Sequence, residues 1–133
     1  MAAKILLLLA VVYTILITTL SLVQLGKISV GNFSPTDKMM HVGAYFGLAI
    51  LWFSYYLFKK EEQDQKQGFL KISALVVLFG ILIEVLQGTL TDYREPDWAD
   101  ALANTIGVFI AYFIFVIFQK FLNRVKHHIS SFL

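Results

Sequence analysis

Apolar residues fill four long stretches of the chain, separated by short polar segments. Residues 5–26, 39–58 and 101–119 contain no Asp, Glu, Lys or Arg, and each reaches the roughly 20 residues an apolar helix needs to cross about 30 Å of hydrocarbon. A fourth stretch, 68–90, has the right length but carries Lys71 near one end and Glu84 well inside the other. Lys71 can snorkel on its long stem, whereas Glu84 cannot easily leave the hydrocarbon. The pattern predicts an all-α membrane protein, a four-transmembrane-helix bundle with helices at about 4–25, 35–58, 68–90 and 97–121 and a basic tail over 122–133. The first stretch exceeds the roughly 7–15 apolar residues of a signal peptide, and no A-x-A-like cleavage site follows it, so it reads as a retained helix.

Composition agrees with lipid as the main solvent. Hydrophobic residues make up 58% and charged residues 15%, where a soluble domain carries about 25% charged. Cysteine is absent, which removes disulfides, thiolate metal sites and a Cys nucleophile. The net charge of +2 is small and the basic residues sit in a few flanks, which argues against nucleic acid as a partner. Their distribution instead orients the chain. With the N-terminus inside, cytoplasmic flanks hold Lys4, Lys59, Lys60, Lys66, Lys71, Lys120, Arg124 and Lys126, against Lys27, Lys38 and Arg94 outside. Eight against three gives N-in and C-in by the positive-inside rule. Segment 59–68 is then a cytoplasmic connector, and 123–133 a basic tail at the inner lipid surface. His127 and His128 in that tail are adjacent, not at ligand spacing on one helix face, so no metal and no cofactor is expected.

The interior polar residues collect in one leaflet. Ser34 is the expected N-cap of the second helix, with Pro35 at its first position and Asp37 where a capping-box acid sits. From there Lys38, His41 and Tyr45 follow at i, i+3 and i+7, a stripe running inward from the outer surface. The third helix runs outward, placing Glu84 and Gln87 on one face of its outer half. Pro96 opens the fourth helix, where Asp97 and Asp100 suit the positive dipole end. Asp97, Asp100, Asn104 and Gly107 fall within an arc of about 80° at 100° per residue. Lipid would penalise each group separately, so mutual pairing is the low-energy arrangement. On the opposite side of the second helix, Gly43 and Gly47 form a GxxxG suited to close packing against the first helix or against a second copy in a homo-oligomer. Trp52, Phe53, Tyr55, Tyr56 and Phe58 read as an interfacial belt at its inner end, and Trp98 as its outer counterpart.

In order, Asp37-Lys38-x-x-His41-x-x-x-Tyr45, Glu84-x-x-Gln87 and Arg94-x-x-Asp97-x-x-Asp100-x-x-x-Asn104-x-x-Gly107 resemble the VanZ-like family of bacterial membrane proteins. The resemblance spans roughly residues 34–111, with Ala111 where many members carry another small residue, often Gly. It implies one membrane domain over 1–133, in the bacterial inner (cytoplasmic) membrane as a multi-pass protein. The family takes its name from a protein encoded with glycopeptide-resistance genes that lowers susceptibility to teicoplanin, which implies a link to antibiotic resistance or a housekeeping role in the cell envelope.

Three functional readings compete with a purely structural one. In the structural reading Arg94 bridges Asp97 or Asp100, Glu84 is neutral or bonded to His41, and Asn104 satisfies a neighbour. Ten polar groups in one leaflet exceed what stability needs, because apolar packing serves that purpose. The first functional reading is lipid binding: an outward cleft formed by Asp37, Lys38, His41, Tyr45, Glu84, Gln87, Arg94, Asp97, Asp100 and Asn104 holds the headgroup of an amphiphilic or lipid-anchored ligand, such as the lipoglycopeptide teicoplanin. Lys38 and Arg94 would grip an anionic group, while the surplus of carboxylates suits a ligand amine. The second is an enzyme acting on a lipid headgroup, with His41, Glu84 and Asp100 as catalytic acid/base groups; no Ser nucleophile motif, zinc signature or phosphate-cradling loop accompanies them. A transporter fits least, since the inner halves of the spans are apolar.

Overall fold

A computed structural model describes residues 1–23, 36–61, 63, 65–90 and 97–132. Four of its helices, α1 (Ala2–Leu22), α2 (Asp37–Lys59), α3 (Gln65–Leu90) and α4 (Trp98–Ile117), are long and apolar enough to cross a membrane. A fifth, α5 (Gln119–Phe132), follows a one-residue break at Phe118 and stands where the sequence reads as a tail. No strand occurs among the described residues.

Side-chain contacts fix how the helices run. Lys38 at the start of α2 meets Asp97 at the start of α4, Asn104 of α4 meets Glu84 of α3, and Gln87 near the end of α3 reaches the Ser21 carbonyl near the end of α1. The start of α2, the start of α4 and the ends of α1 and α3 therefore share one end of the bundle. At the other end Gln65 of α3 pairs with Asn123 of α5.

α2 and α4 form the most extensive helix pair, and a glycine permits it. A Cβ at Gly107 would lie 2.9 Å from the Phe46 backbone nitrogen and closer still to the Val42 carbonyl, so the two backbones touch where α4 has no side chain. α1 packs on the far side of α2, where the Tyr13 hydroxyl fills the space over Gly47 and donates to the Ala44 carbonyl at 3.3 Å. Gly47 thus receives α1, while a Cβ at Gly43 would meet nothing within 4 Å. α1 buries only Ala10 and Ile17; Ile5, Leu8, Leu9, Val12, Ile15, Leu16 and Leu20 are exposed, as suits a helix that meets lipid on most of its surface.

Two expectations need correction. The N-cap of α2 is Thr36, whose side chain accepts from the Met39 amide, because the helix begins at Asp37; Ser34 and Pro35 lie outside the described residues. The aromatic end of α2 is also no simple interfacial belt. Phe53 is fully buried in a cluster with Phe69 and Phe115, ring centroids 5.2–5.4 Å apart, and the Trp52 indole donates to Thr14 Oγ1 at 3.2 Å. The cause is α3, which begins at Gln65 and crosses this segment, with Tyr56 packed where Gly68 lacks a side chain. Trp98 is 79% exposed at the opposite end.

Candidate functional site

The site begins at the rim of the bundle, where α4 starts. Asp97 caps that helix through its side chain, accepting from the Ala99 amide at 2.8 Å. Its other oxygen accepts from Lys38 Nζ at 2.5 Å, and the same ammonium donates to Asp100 Oδ1. The Lys38 hydrogen bond, and after it the Ala99 amide, hold the Asp97 carboxyl below the ordinary carboxylate range. One cation therefore joins a half-exposed carboxylate to Asp100, which is buried. This ammonium is already engaged by two carboxylates of its own chain, where the sequence reading had it gripping an anionic ligand group.

Inward of the rim the polar residues form a chain. Asn104 Nδ2 donates to Glu84 Oε1 at 3.4 Å, leaving Asn104 Oδ1 to accept from His41 Nδ1 at 3.0 Å. That pattern assigns the proton on Nδ1, an inference from the partners. His41 Nε2 then lies 3.5 Å from Asp100 Oδ2 and 3.8 Å from Asp37 Oδ2. Ligand atoms of Asp37, His41 and Asp100 all fall within 4.8 Å of one another.

Beneath His41 on the same stripe of α2, Tyr45 is 2% exposed and its hydroxyl has no hydrogen-bond partner among the described residues. Its ring lies against α3 at Gly80, where a Cβ would come within 2.9 Å of Tyr45 Cε1 and 3.4 Å of Asn104. A buried hydroxyl with no partner costs about 1–3 kcal/mol. The fold retains one directly below its densest cluster of ionisable groups.

The structure thus brings together Asp37, Lys38, His41, Glu84, Asp97, Asp100 and Asn104, with Tyr45 one layer deeper. Gln87 is buried, but the amide contact described for it is to α1, through the Ser21 carbonyl at 2.7 Å. Arg94 lies outside the described residues. A profile of the VanZ/LLP1 family matches residues 4–119. The chain belongs to the VanZ/LLP1 family. No curated protein and no solved structure matched it. Within this VanZ/LLP1 chain, seven of the residues that carry the resemblance, Asp37, Lys38, His41, Glu84, Asp97, Asp100 and Asn104, lie in one connected cluster. Gly80 is the positioning residue that sequence reading missed: an isolated glycine one turn before Glu84 in an apolar helix was the available signal.

Proposed function

We propose that this VanZ/LLP1 membrane protein is a binding protein of the bacterial cytoplasmic membrane, its Lys38 end facing away from the cytoplasm. The site takes the headgroup of an amphiphilic or lipid-anchored envelope molecule, with the acyl tail lying between helices. The observation that carries this reading is the buried, unpartnered Tyr45 hydroxyl below the His41–Asn104–Glu84 chain. Native folds satisfy nearly all buried polar atoms, so an unused one beside ionisable groups is best explained by a ligand that supplies its partner.

Charge narrows the ligand class. Among the described residues Asp37, Glu84, Asp97 and Asp100 outnumber Lys38 at this end, and the surplus favours a headgroup with a protonated amine. A lipoglycopeptide such as teicoplanin combines an acyl chain with ionisable groups, and its capture would connect the protein to glycopeptide resistance.

A second reading is supported by His41, whose two ring nitrogens approach Glu84 at 3.6 Å and Asp100 at 3.5 Å. A histidine between two carboxylates can move protons, so an enzyme acting on a lipid headgroup through His41, Glu84 and Asp100 is the alternative. Mass spectrometry of the purified protein incubated with bacterial lipids and teicoplanin separates the two. Binding predicts retained, unaltered amine-bearing amphiphiles, at least tenfold depleted in Glu84→Gln and Asp100→Asn variants that still purify as folded protein. New lipid products would establish the enzyme instead. Loss of folded protein in both variants, with nothing retained by the wild type, would leave the polar cluster as structural glue.

A further inference from the structure

α5 is built unlike the four spanning helices. At 100° per residue Phe121, Leu122, Val125, Ile129 and Phe132 fall within an arc of about 100°, and Lys120, Arg124 and His127 within about 60° on the other side. The apolar face is largely uncovered: Phe121 is 57%, Ile129 37% and Phe132 77% exposed. Such a helix, apolar along one side and basic along the other, lies in the plane of a membrane interface.

Its attachment to the bundle is polar and specific. Asn123 is buried and exchanges two hydrogen bonds with the fully buried Gln65, at 3.0 and 3.2 Å. Gln119 donates to the same Gln65 oxygen at 3.1 Å, and Lys126 donates to the Lys60 carbonyl at 2.6 Å. Together these contacts pin α5 to the start of α3 and the end of α2. Beside them lies an open cavity of about 510 Å³ lined by Gln119, Lys120, Asn123, Arg124 and His127, within the about 300–1,000 Å³ range of ligand sites. Neither Lys120 nor Arg124 has a carboxylate partner among the described residues. α4, 20 residues long, separates this cavity from the Lys38 end by about 30 Å, so the two sites are distinct.

We propose that this cavity holds the phosphate of an anionic phospholipid. Lys120 and Arg124 neutralise the phosphate, Arg124 with a two-pronged contact, and the amides of Gln119 and Asn123 border it. The acyl chains then run past the exposed Phe121 side of α5. A zwitterionic lipid is the weaker ligand because its own cation competes for the phosphate.

The purified full-length protein in neutral detergent, titrated with phosphatidylglycerol, with phosphatidylcholine and with inorganic phosphate, tests this by native mass spectrometry. Phosphatidylglycerol is expected to be retained roughly tenfold more tightly than phosphatidylcholine, the order produced by two basic residues facing an anionic headgroup. The double variant Lys120→Gln, Arg124→Gln should lose that preference with an unchanged thermal midpoint, and Lys120→Arg should keep it. Equal retention of the two lipids, or a preference that survives the double glutamine variant, would overturn the proposal. Inorganic phosphate displacing phosphatidylglycerol at equal concentration would overturn the assignment to a lipid. None of these outcomes depends on the ligand of the Lys38 end.

Discussion

Asp97 does two things with one side chain: it caps α4 through the Ala99 amide and pairs with Lys38. Both interactions favour its ionised form, so its folded pKa lies below the unfolded value of about 3.9. A carboxyl depressed in this way contributes stability that is fully present above the unfolded pKa and is lost as pH falls through the folded one. Thermal midpoints of wild type and Asp97→Asn should therefore differ at pH 7, and the gap should start to close only as pH falls below about 4, vanishing below the lowered folded pKa. A gap that stays constant across that range would mean the pairing with Lys38 contributes nothing. Sequence spacing was enough to put Asp97, Asp100 and Asn104 on one face of α4 and Lys38, His41 and Tyr45 on one face of α2. It was not enough to pair them, because partner choice depends on rotation and separation of helices, which periodicity leaves open. Hence Lys38 meets two carboxylates, and Gln87 is tied to α1 although it lies one turn from Glu84.

At the level of whole elements, glycines set the helix separations. Gly107 lies where the α2 backbone presses on α4, whereas Gly43, four residues before Gly47 on α2, faces open space. Gly107→Ala should destabilise the protein by about 1–3 kcal/mol, since the added methyl meets backbone that cannot swing aside. Gly43→Ala should be neutral or stabilising by up to about 1 kcal/mol from helix propensity alone. Thermal unfolding in detergent, with both variants beside wild type, decides; a milder effect at Gly107 than at Gly43 would mean that α2 and α4 are not in backbone contact. The four spans were legible because lipid enforces long apolar runs. α5 reads in the sequence only as a basic tail, because its period-3.6 pattern is short and most of its residues are polar. Likewise the aromatic segment of α2 resembled an interfacial belt until α3 was seen to cross it, a tertiary contact that no local pattern encodes.

For the molecule as a whole, the fold separates two chemistries along about 30 Å of helix. One end is acidic and partly buried, with a histidine and a phenol that has no partner among the described residues; the other carries a basic helix with an uncovered apolar side. Under the two proposals, α5 grips the anionic leaflet and the acidic end meets an amphiphile at the opposite surface. The central claim is that a ligand supplies the missing partner of the Tyr45 hydroxyl, and it can be probed in living membranes by placing a photoreactive azido-phenylalanine at position 45 and, as a lipid-facing control, at the exposed Ile110. Irradiation followed by mass spectrometry should yield a narrow set of amine-bearing amphiphile adducts at position 45 and the bulk lipid mixture at position 110. Adducts only within the protein itself at position 45, or the same bulk mixture at both positions, would contradict ligand binding at Tyr45.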